Sequence, residues 1–403
     1  MRSLRNIVFW LHLVGGCVAG VVILTMSVTG ALLAFERQIT VAVDTPVVLQ
    51  SQPGTVSETK LEPILAVLQN SGRGVPNELV LHNSAKAPVE ARFGRQSTLF
   101  INPWTAEIVG QPNESLREFF GSVERIHRSL GLGMQNAMGR GIADGANLIF
   151  LLMVLSGMYL WMPKAFSFAA LRIRLFFRSG IKGRTREWNW HHVIGMWTSI
   201  PLFFIVLTGV IMSYPWASNL LFTMTGSPVP TNGFQGERGP RSSGGGRGTQ
   251  RGPSANDSQA SDYRSIDELV QTAKQQTPNW KSISVTVPRP QDRMLNISID
   301  KSVGGQPEQA FQVVMNRQSG NVEAVKRFSD NSTGRKLRAW SRFLHTGEEL
   351  GLFGQVIGAI ACLGAIMLVW TGISMALRRA LAQFEFPNNQ AQIGTQETEA
   401  ISK

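Results

Sequence analysis

A chain of 403 residues with a formal net charge of +12 and 43% hydrophobic residues averages like a basic soluble protein, but its apolar residues lie in blocks that carry no charge at all. The positive charge invites a nucleic-acid reading, which is rejected because no nucleic-acid-binding motif accompanies it. Cys17 and Cys362 both fall inside apolar runs, which argues against a disulfide framework, and the lack of any Cys-x-x-Cys-His excludes a covalently attached c-type haem.

The uncharged blocks are Asn6 to Phe35, Gly145 to Pro163, His191 to Leu221 and Leu350 to Leu377. About twenty residues at 1.5 Å each cross the roughly 30 Å hydrocarbon core, so four transmembrane helices are expected. The first could be taken for a signal peptide, but it is too long and lacks a clear small-x-small cleavage site. The fold class expected is therefore an integral membrane, mainly α protein, in which four transmembrane helices carry two α+β outer domains.

Helix one, over 6–36, carries Trp10, His12, Gly15, Gly16, Gly20 and Gly30. Glycines there allow close approach of a neighbouring helix or a flat cofactor; the plainer reading is helix packing. The first outer domain, 37–126, begins with a helical pattern from Glu58 to Gln69, with Leu61, Ile64, Leu65 and Leu68 on one face. Strand-like runs follow at Glu78 to Leu81, Val89 to Phe93 and Thr98 to Ile101, then Asn102-Pro103 supplies a turn before Glu107 to Val109. His82 ends one of these strands and reads as an ordinary strand histidine.

A histidine segment with helix two occupies 127–163. It opens within Glu124-Arg-Ile-His-Arg-Ser-Leu-Gly-Leu-Gly133 and closes at Leu155-Ser-Gly-Met-Tyr-Leu-Trp-Met-Pro163. His127 lies well before the apolar part, so Gly131 to Gly145 must fold back or run along the interface. The loop 164–190 holds Lys164, Arg172, Arg174, Arg178, Lys182, Arg184 and Arg186 against Glu187 alone. Arg2, Arg5, Arg378 and Arg379 flank the first and last helices, so the rule that Lys and Arg stay inside puts this loop and both termini in the cytoplasm.

Helix three, 191–221, opens at Trp188-Asn-Trp-His-His-Val-Ile-Gly-Met-Trp197. A Gly/Arg/Ser stretch over 226–262, densest from Arg238 to Gly252, cannot bury a core and reads as a disordered linker. The second outer domain, 263–340, has a helix from Ser265 to Gln276 and strands near Ser282 to Val287, Leu295 to Ile299, Ala310 to Met315 and Val322 to Arg327. Phe343-Leu-His-Thr-Gly-Glu-Glu-Leu-Gly-Leu-Phe-Gly354 then leads into helix four, so the final histidine segment and helix span 341–379, and 380–403 form a cytoplasmic tail.

The two halves match in order: helix, outer unit, histidine segment, helix. Phe100-Ile-Asn-Pro-Trp-Thr-Ala-Glu-Ile-Val109 corresponds to the segment around Val314-Met-Asn316. His12 precedes Gly16 by four residues and Thr29-Gly30 by seventeen and eighteen; His191 precedes Gly195 and Thr208-Gly209 by the same intervals. The alignment pairs His12 with His191, leaving His192 as the alternative. Topology then puts His12 and His191 near the inner face, with His127 and His345 near the outer. Two imidazoles at each face suit two bis-histidine haems of the b type, and Arg125, Arg128 and Arg342 lie near the outer pair to meet propionates.

These residues resemble the PepSY-associated transmembrane proteins, whose iron-uptake branch includes ferric-siderophore reductases of the bacterial inner membrane. The resemblance rests on His127-Arg-Ser-Leu, Leu155 to Pro163, Trp190-His-His-Val-Ile-Gly, Leu207-Thr-Gly209, His345-Thr-Gly and two PepSY-like units, and it spans almost the whole chain except the linker. It implies a four-helix protein that binds haem and passes electrons to a ferric siderophore in the periplasm. No nucleotide fingerprint is present, so the electrons are expected from a quinol or a separate dehydrogenase. Two other readings stay open: a non-catalytic membrane protein that binds a peptidase or assists a transporter, and direct copper or zinc binding by the histidines.

Overall fold

The computed structural model describes residues 2–44, 59–84, 87–94, 97–163, 167–230 and 263–401. The linker expected over 226–262 therefore lies, from residue 231 on, outside the described residues. Helices α1 (Arg2–Leu33), α5 (Ala137–Trp161), α7 (Gly183–Ser213) and α11 (Gly351–Ile401) form the bundle. Among the described residues these account for four helices long and apolar enough to cross a membrane. Their outer faces are apolar and unburied, as Val18 at 71% and Val21 at 69% exposure illustrate. Such a surface is untenable in water, and a bilayer is the solvent that fits it.

Small residues set how closely the helices approach. A Cβ on Gly364 of α11 would stand 2.5 Å from Thr198 Cγ2 of α7, and one on Gly16 of α1 would stand 3.0 Å from Met153 Cε of α5. Gly15 faces Ile149 and Met153, and Gly20 faces Ile373 and Val369, so these three glycines serve helix packing. Pro201 inside α7 removes one helical hydrogen bond and is accommodated beside the buried Leu202.

Three of the four bundle helices, α1, α5 and α7, start earlier than hydropathy alone indicates. α5 begins at Ala137 because Arg140 and Asp144 interrupt the apolar run without breaking the helix. α7 begins at Gly183, within the basic loop, and the same loop contains α6 (Phe168–Leu175). After α1 come α2 (Glu36–Asp44) and α3 (Leu61–Asn70).

The strands are β1 (Glu78–His82), β2 (Val89–Phe93), β3 (Ser97–Ile101), β4 (Ile108–Gly110), β5 (Ser282–Thr286), β6 (Met294–Asp300), β7 (Ala310–Asn316) and β8 (Val322–Arg327). They form one eight-stranded antiparallel sheet in the order β4-β3-β2-β1-β5-β6-β7-β8. The two strand groups anticipated from the sequence are thus joined edge to edge, with Leu79 opposite Val285 in the β1–β5 pair. α3 packs with α9 (Ile266–Lys274), and their apolar faces share one core with the sheet, including Leu61, Leu68, Leu269, Ile283 and Ile297.

The remaining helices connect sheet to bundle: α4 (Glu114–Ser129), α8 (Pro215–Met224) and α10 (Thr333–Thr346). α4 packs on α1 and α5, while α10 packs on α7 and α8. Both are amphipathic, and both stop at a left-handed residue, Leu130 (φ 53°) after α4 and Gly347 (φ 76°) after α10. Each therefore reverses against the bundle instead of running straight into the next spanning helix.

Candidate functional site

The four histidines singled out by the sequence meet as two pairs. His12 of α1 faces His191 of α7, with ring centroids 6.5 Å apart and planes at 85°. His127 of α4 faces His345 of α10, with centroids 6.2 Å apart and planes at 61°. Reversal at Leu130 and Gly131 is what carries His127 back beside the bundle. His82 stands apart, its Nε2 2.9 Å from Glu90 Oε1 on the sheet.

The two pairs lie at different depths. His127 bonds Thr29, which is seventeen residues beyond His12 on α1, and His345 lies at Thr208, seventeen beyond His191 on α7. At 1.5 Å per residue each interval is about 25 Å, most of the thickness of a hydrocarbon core.

Every one of these histidines has its Nδ1 engaged by another helix. His12 Nδ1 is 2.9 Å from Ser156 Oγ of α5, His191 Nδ1 is 2.9 Å from Thr371 Oγ1 of α11, and His127 Nδ1 is 2.9 Å from Thr29 Oγ1 of α1. His345 Nδ1 lies 2.7 Å from the Ile205 carbonyl oxygen and 3.4 Å from Thr208 Oγ1, both on α7.

Those partners fix the tautomer. Thr371 Oγ1 donates to the Met367 carbonyl at 2.7 Å, Thr29 Oγ1 to Thr25 at 2.7 Å, and Ser156 Oγ to Met153 at 3.1 Å. A hydroxyl has one hydrogen, so once that is given to a carbonyl the oxygen can only accept from the imidazole. The Ile205 carbonyl is an acceptor in any case. All four rings thus carry a hydrogen on Nδ1, and in the neutral imidazole the Nε2 lone pair is left for another partner.

Each hydroxyl residue precedes a glycine: Ser156-Gly157, Thr29-Gly30, Thr371-Gly372 and Thr208-Gly209. A Cβ on Gly157 would stand 3.3 Å from His12 Cε1, one on Gly30 would stand 3.4 Å from His127 Cε1, and one on Gly372 would stand 3.5 Å from His191 Cε1. The fourth site differs, since Gly209 faces Asn147 Nδ2 at 2.8 Å. Sequence reading used some of these dipeptides to align the halves but missed their contacts. A hydroxyl followed by glycine in each apolar run was the available signal.

His192 is placed otherwise. Its Nδ1 donates to the Trp188 carbonyl one turn back at 2.9 Å, and its ring lies 4.0 Å from that of Trp188. It is a neighbour of His191, at 6.4 Å between centroids, while His191 is the ring that faces His12.

The donor sets can be tested against a shared metal. Two imidazoles that approach one metal ion through Nε2 from opposite sides, with metal–nitrogen bonds of about 2.0–2.1 Å, have centroids about 6.3 Å apart. Both observed separations agree with that span, and the neutral Nε2 lone pairs are the form a metal requires. The histidines meet in twos, and no group of three or more His, Cys, Asp or Glu able to hold a metal occurs among the described residues. Each pair would supply two imidazole ligands to a group that brings its other ligands with it.

Cations gather at the ends of the bundle. On the basic-loop side, Arg5 donates to the Leu160 and Met162 carbonyls at the end of α5, and Arg174 donates to the Trp161 carbonyl. Arg378 pairs with the buried Glu187 at 3.1 Å, and Arg379 stacks over Phe9 and Trp10. On the sheet side, Arg128 pairs with Glu124 at 3.0 Å, Arg125 donates to Ser122 Oγ at 2.7 Å, and Arg342 lies 5.4 Å over Phe343.

The family model described as the PepSY-associated TM region matches residues 9–379. Comparison with curated proteins finds no match. The match covers nearly all of the chain, which belongs to this family.

Proposed function

We propose that this member of the PepSY-associated transmembrane family is a di-haem, b-type electron-transfer protein of the bacterial inner membrane that reduces ferric siderophores in the periplasm. The observation that carries the proposal is the pair of opposed imidazoles at each of two depths, with every Nδ1 hydrogen-bonded and every Nε2 left to bind. His12 and His191 would hold the inner haem and His127 and His345 the outer one, each haem supplying a one-electron ferric/ferrous couple.

The chain's own residues contribute orientation and insulation. Ser156, Thr29, Thr371 and the Ile205 carbonyl hold the imidazole tautomers, and Gly157, Gly30 and Gly372 let the rings lie against their neighbouring helices. Excess Lys and Arg in the loop 164–190 favours a cytoplasmic position for that loop, which puts the sheet in the periplasm. We read the two groups of one helix and four strands as two PepSY-like units and the chain as an internal repeat: α3 and α9 each precede an antiparallel group, and a histidine-bearing helix follows each.

Reduction releases iron because the oxygen donors of siderophores are hard and hold ferric iron far better than ferrous. The chain has no nucleotide fingerprint, so a quinol or a separate dehydrogenase supplies the electrons at the inner pair.

The test is a pyridine haemochrome count with oxidised and dithionite-reduced spectra of detergent-purified protein, for wild type and for His12→Ala, His127→Ala, His191→Ala and His345→Ala. Two b haems per chain, with loss of one in each variant, is the expected result. Protein made with ample haem that carries none would overturn the reading and leave a non-catalytic role, such as binding a peptidase or assisting a transporter.

A further inference from the structure

The histidine-bearing helix α10 also lines a cavity. The cavity has a volume of about 530 Å³ and lies between the β6–β8 end of the sheet and the first half of α10. Its walls include Lys301, Glu308, Phe311, Arg327, Lys336 and Trp340. That volume falls within the range of small-molecule sites, about 300–1,000 Å³.

The lining is cationic and aromatic together. Phe311 is buried, with Lys301 Nζ 5.7 Å and the Arg327 guanidinium 6.0 Å from its ring centre. Trp340 is half-buried, packs 6.0 Å from Phe328 and donates its indole hydrogen to Glu308 Oε2 at 3.1 Å. Three cations against the single carboxylate of Glu308 leave the lining positive. Asp330, close enough to interact with Arg327 and Lys336, accepts the Arg327 backbone hydrogen at 2.7 Å and is fully exposed, so water screens most of its charge.

A cavity of this composition selects an anionic ligand with flat aromatic rings: cations held over the buried Phe311 meet the negative charge, and the half-buried Phe328 and Trp340 offer ring faces. Ferric chelates differ on both counts. A ferric tris-catecholate is strongly anionic and presents aromatic rings, whereas a ferric tris-hydroxamate of simple acids is neutral and aliphatic. Placement strengthens the choice, since Trp340 and His345 are five residues apart on α10, about 7.5 Å along the helix axis.

We infer that this cavity is the docking site for a ferric catecholate chelate, with Lys301, Arg327 and Lys336 setting its charge selectivity and Trp340 its preference for aromatic rings. The inference rests on the reductase reading for its redox step but not for binding. In that step one electron passes from the reduced protein to the chelated iron, which goes from ferric to ferrous, and the freed catecholate oxygens take up protons from water.

Two measurements on the full chain in detergent separate binding from reduction. The first is titration with the gallium(III) catecholate complex, which does not take an electron, followed by tryptophan fluorescence. Lys336→Glu and Arg327→Glu are expected to weaken binding at least tenfold, as is raised salt, while Lys326→Glu, an equal charge change on exposed β8 outside the cavity, leaves it unchanged. The second is stopped-flow reoxidation of the dithionite-reduced protein by ferric catecholate and by ferric acetohydroxamate. The cavity variants are expected to slow only the catecholate reaction, by a similar factor. Gallium catecholate that fails to bind, or binds equally to wild type, Lys336→Glu and Lys326→Glu, overturns the docking site even if both haems are present. Selective binding in protein that holds no haem would support the docking site while removing the reductase reading.

Discussion

His191 and Thr371 are 180 residues apart in the chain, yet His191 Nδ1 and Thr371 Oγ1 stand 2.9 Å apart between α7 and α11. Because Thr371 spends its own hydrogen on Met367, the bond runs from imidazole to hydroxyl. A ring held this way is a better electron donor through Nε2 than one whose Nδ1 hydrogen is unpaired, which stabilises the ferric form of a bound haem. Replacing Thr371 by Val keeps the shape and removes the acceptor. On the proposed haem reading, and with a hydrogen bond worth about 1 kcal/mol, the potential of the His12/His191 centre should rise by about 40 mV in Thr371→Val. Potentiometric titration should show Thr371→Ser close to wild type and the His127/His345 centre unmoved. A purely structural role for Thr371 predicts instead equal changes in both centres.

A second prediction concerns the glycines behind the rings. Gly157→Ala would set a Cβ 3.3 Å from His12 Cε1, tighter than ordinary contact, so the ring must shift. Gly141 on the same helix has nothing within 4 Å of its would-be Cβ. On the same haem reading, Gly157→Ala should lower occupancy of the His12/His191 site or alter its spectrum, and Gly141→Ala should do neither. Comparable losses in both would mean that helix α5 simply does not tolerate alanine.

Most of the secondary structure was legible because its periods are plain. The alternating runs at Val89–Phe93 and Val322–Arg327 have the same bounds in the structure, and the four spanning helices were found from hydropathy. Pairing of His12 with His191 followed from equal intervals to glycine and threonine in two runs, which a helix converts into equal geometry. What escaped depends on long-range contact. The β1–β5 pairing joins segments some 200 residues apart, and nothing local in Glu78–His82 or Ser282–Thr286 announces it. α4 and α10 were hidden because their charged residues lower the hydropathy of helices that lie against the bundle. Serine and threonine in apolar helices usually bond their own backbone, as these also do, so their second bond to histidine became visible only with the fold.

Acid should weaken the sheet through Glu90. Burial would raise its carboxyl, but His82 and Arg92 beside it outweigh that and hold it at about 2, below the ordinary 4.5. A depressed folded value means stability that is fully present above about pH 4.5 and lost as pH falls through about 2. A difference of this size corresponds to on the order of 3 kcal/mol. Glu78 acts in the opposite sense, since burial raises its carboxyl despite Arg92, and offsets part of the loss. Thermal unfolding followed across this range should show Glu90→Gln with a flatter acid limb than wild type; an unchanged slope would remove Glu90 from the account.

The two helices over the sheet cap each other. α3 begins after Lys60, which makes no side-chain cap, and its first amides are met from the other half of the chain: Leu61 N donates to Asp267 Oδ1 at 2.5 Å and Glu62 N to Oδ2 at 3.4 Å. In return Ile266 N, at the start of α9, donates to Glu62 Oε1 at 3.2 Å. Both carboxylates also sit at helix N-termini, where negative charge is favoured. Asp267→Ala should therefore destabilise the sheet unit by about 1–2 kcal/mol, the usual cost of a lost cap. Its distinguishing sign is location, because the substitution is on α9 while the orphaned amides are on α3. Hydrogen–deuterium exchange should rise at the first turn of α3 as well as in α9, and Glu62→Ala should produce the reciprocal pattern. A double variant less destabilised than the sum of the two would measure the coupling directly. If exchange in Asp267→Ala rises only within α9, α3 draws its order from the apolar contacts of Leu61, Ile64 and Leu68 alone, and the two halves of the sheet are held together by their strands and shared core.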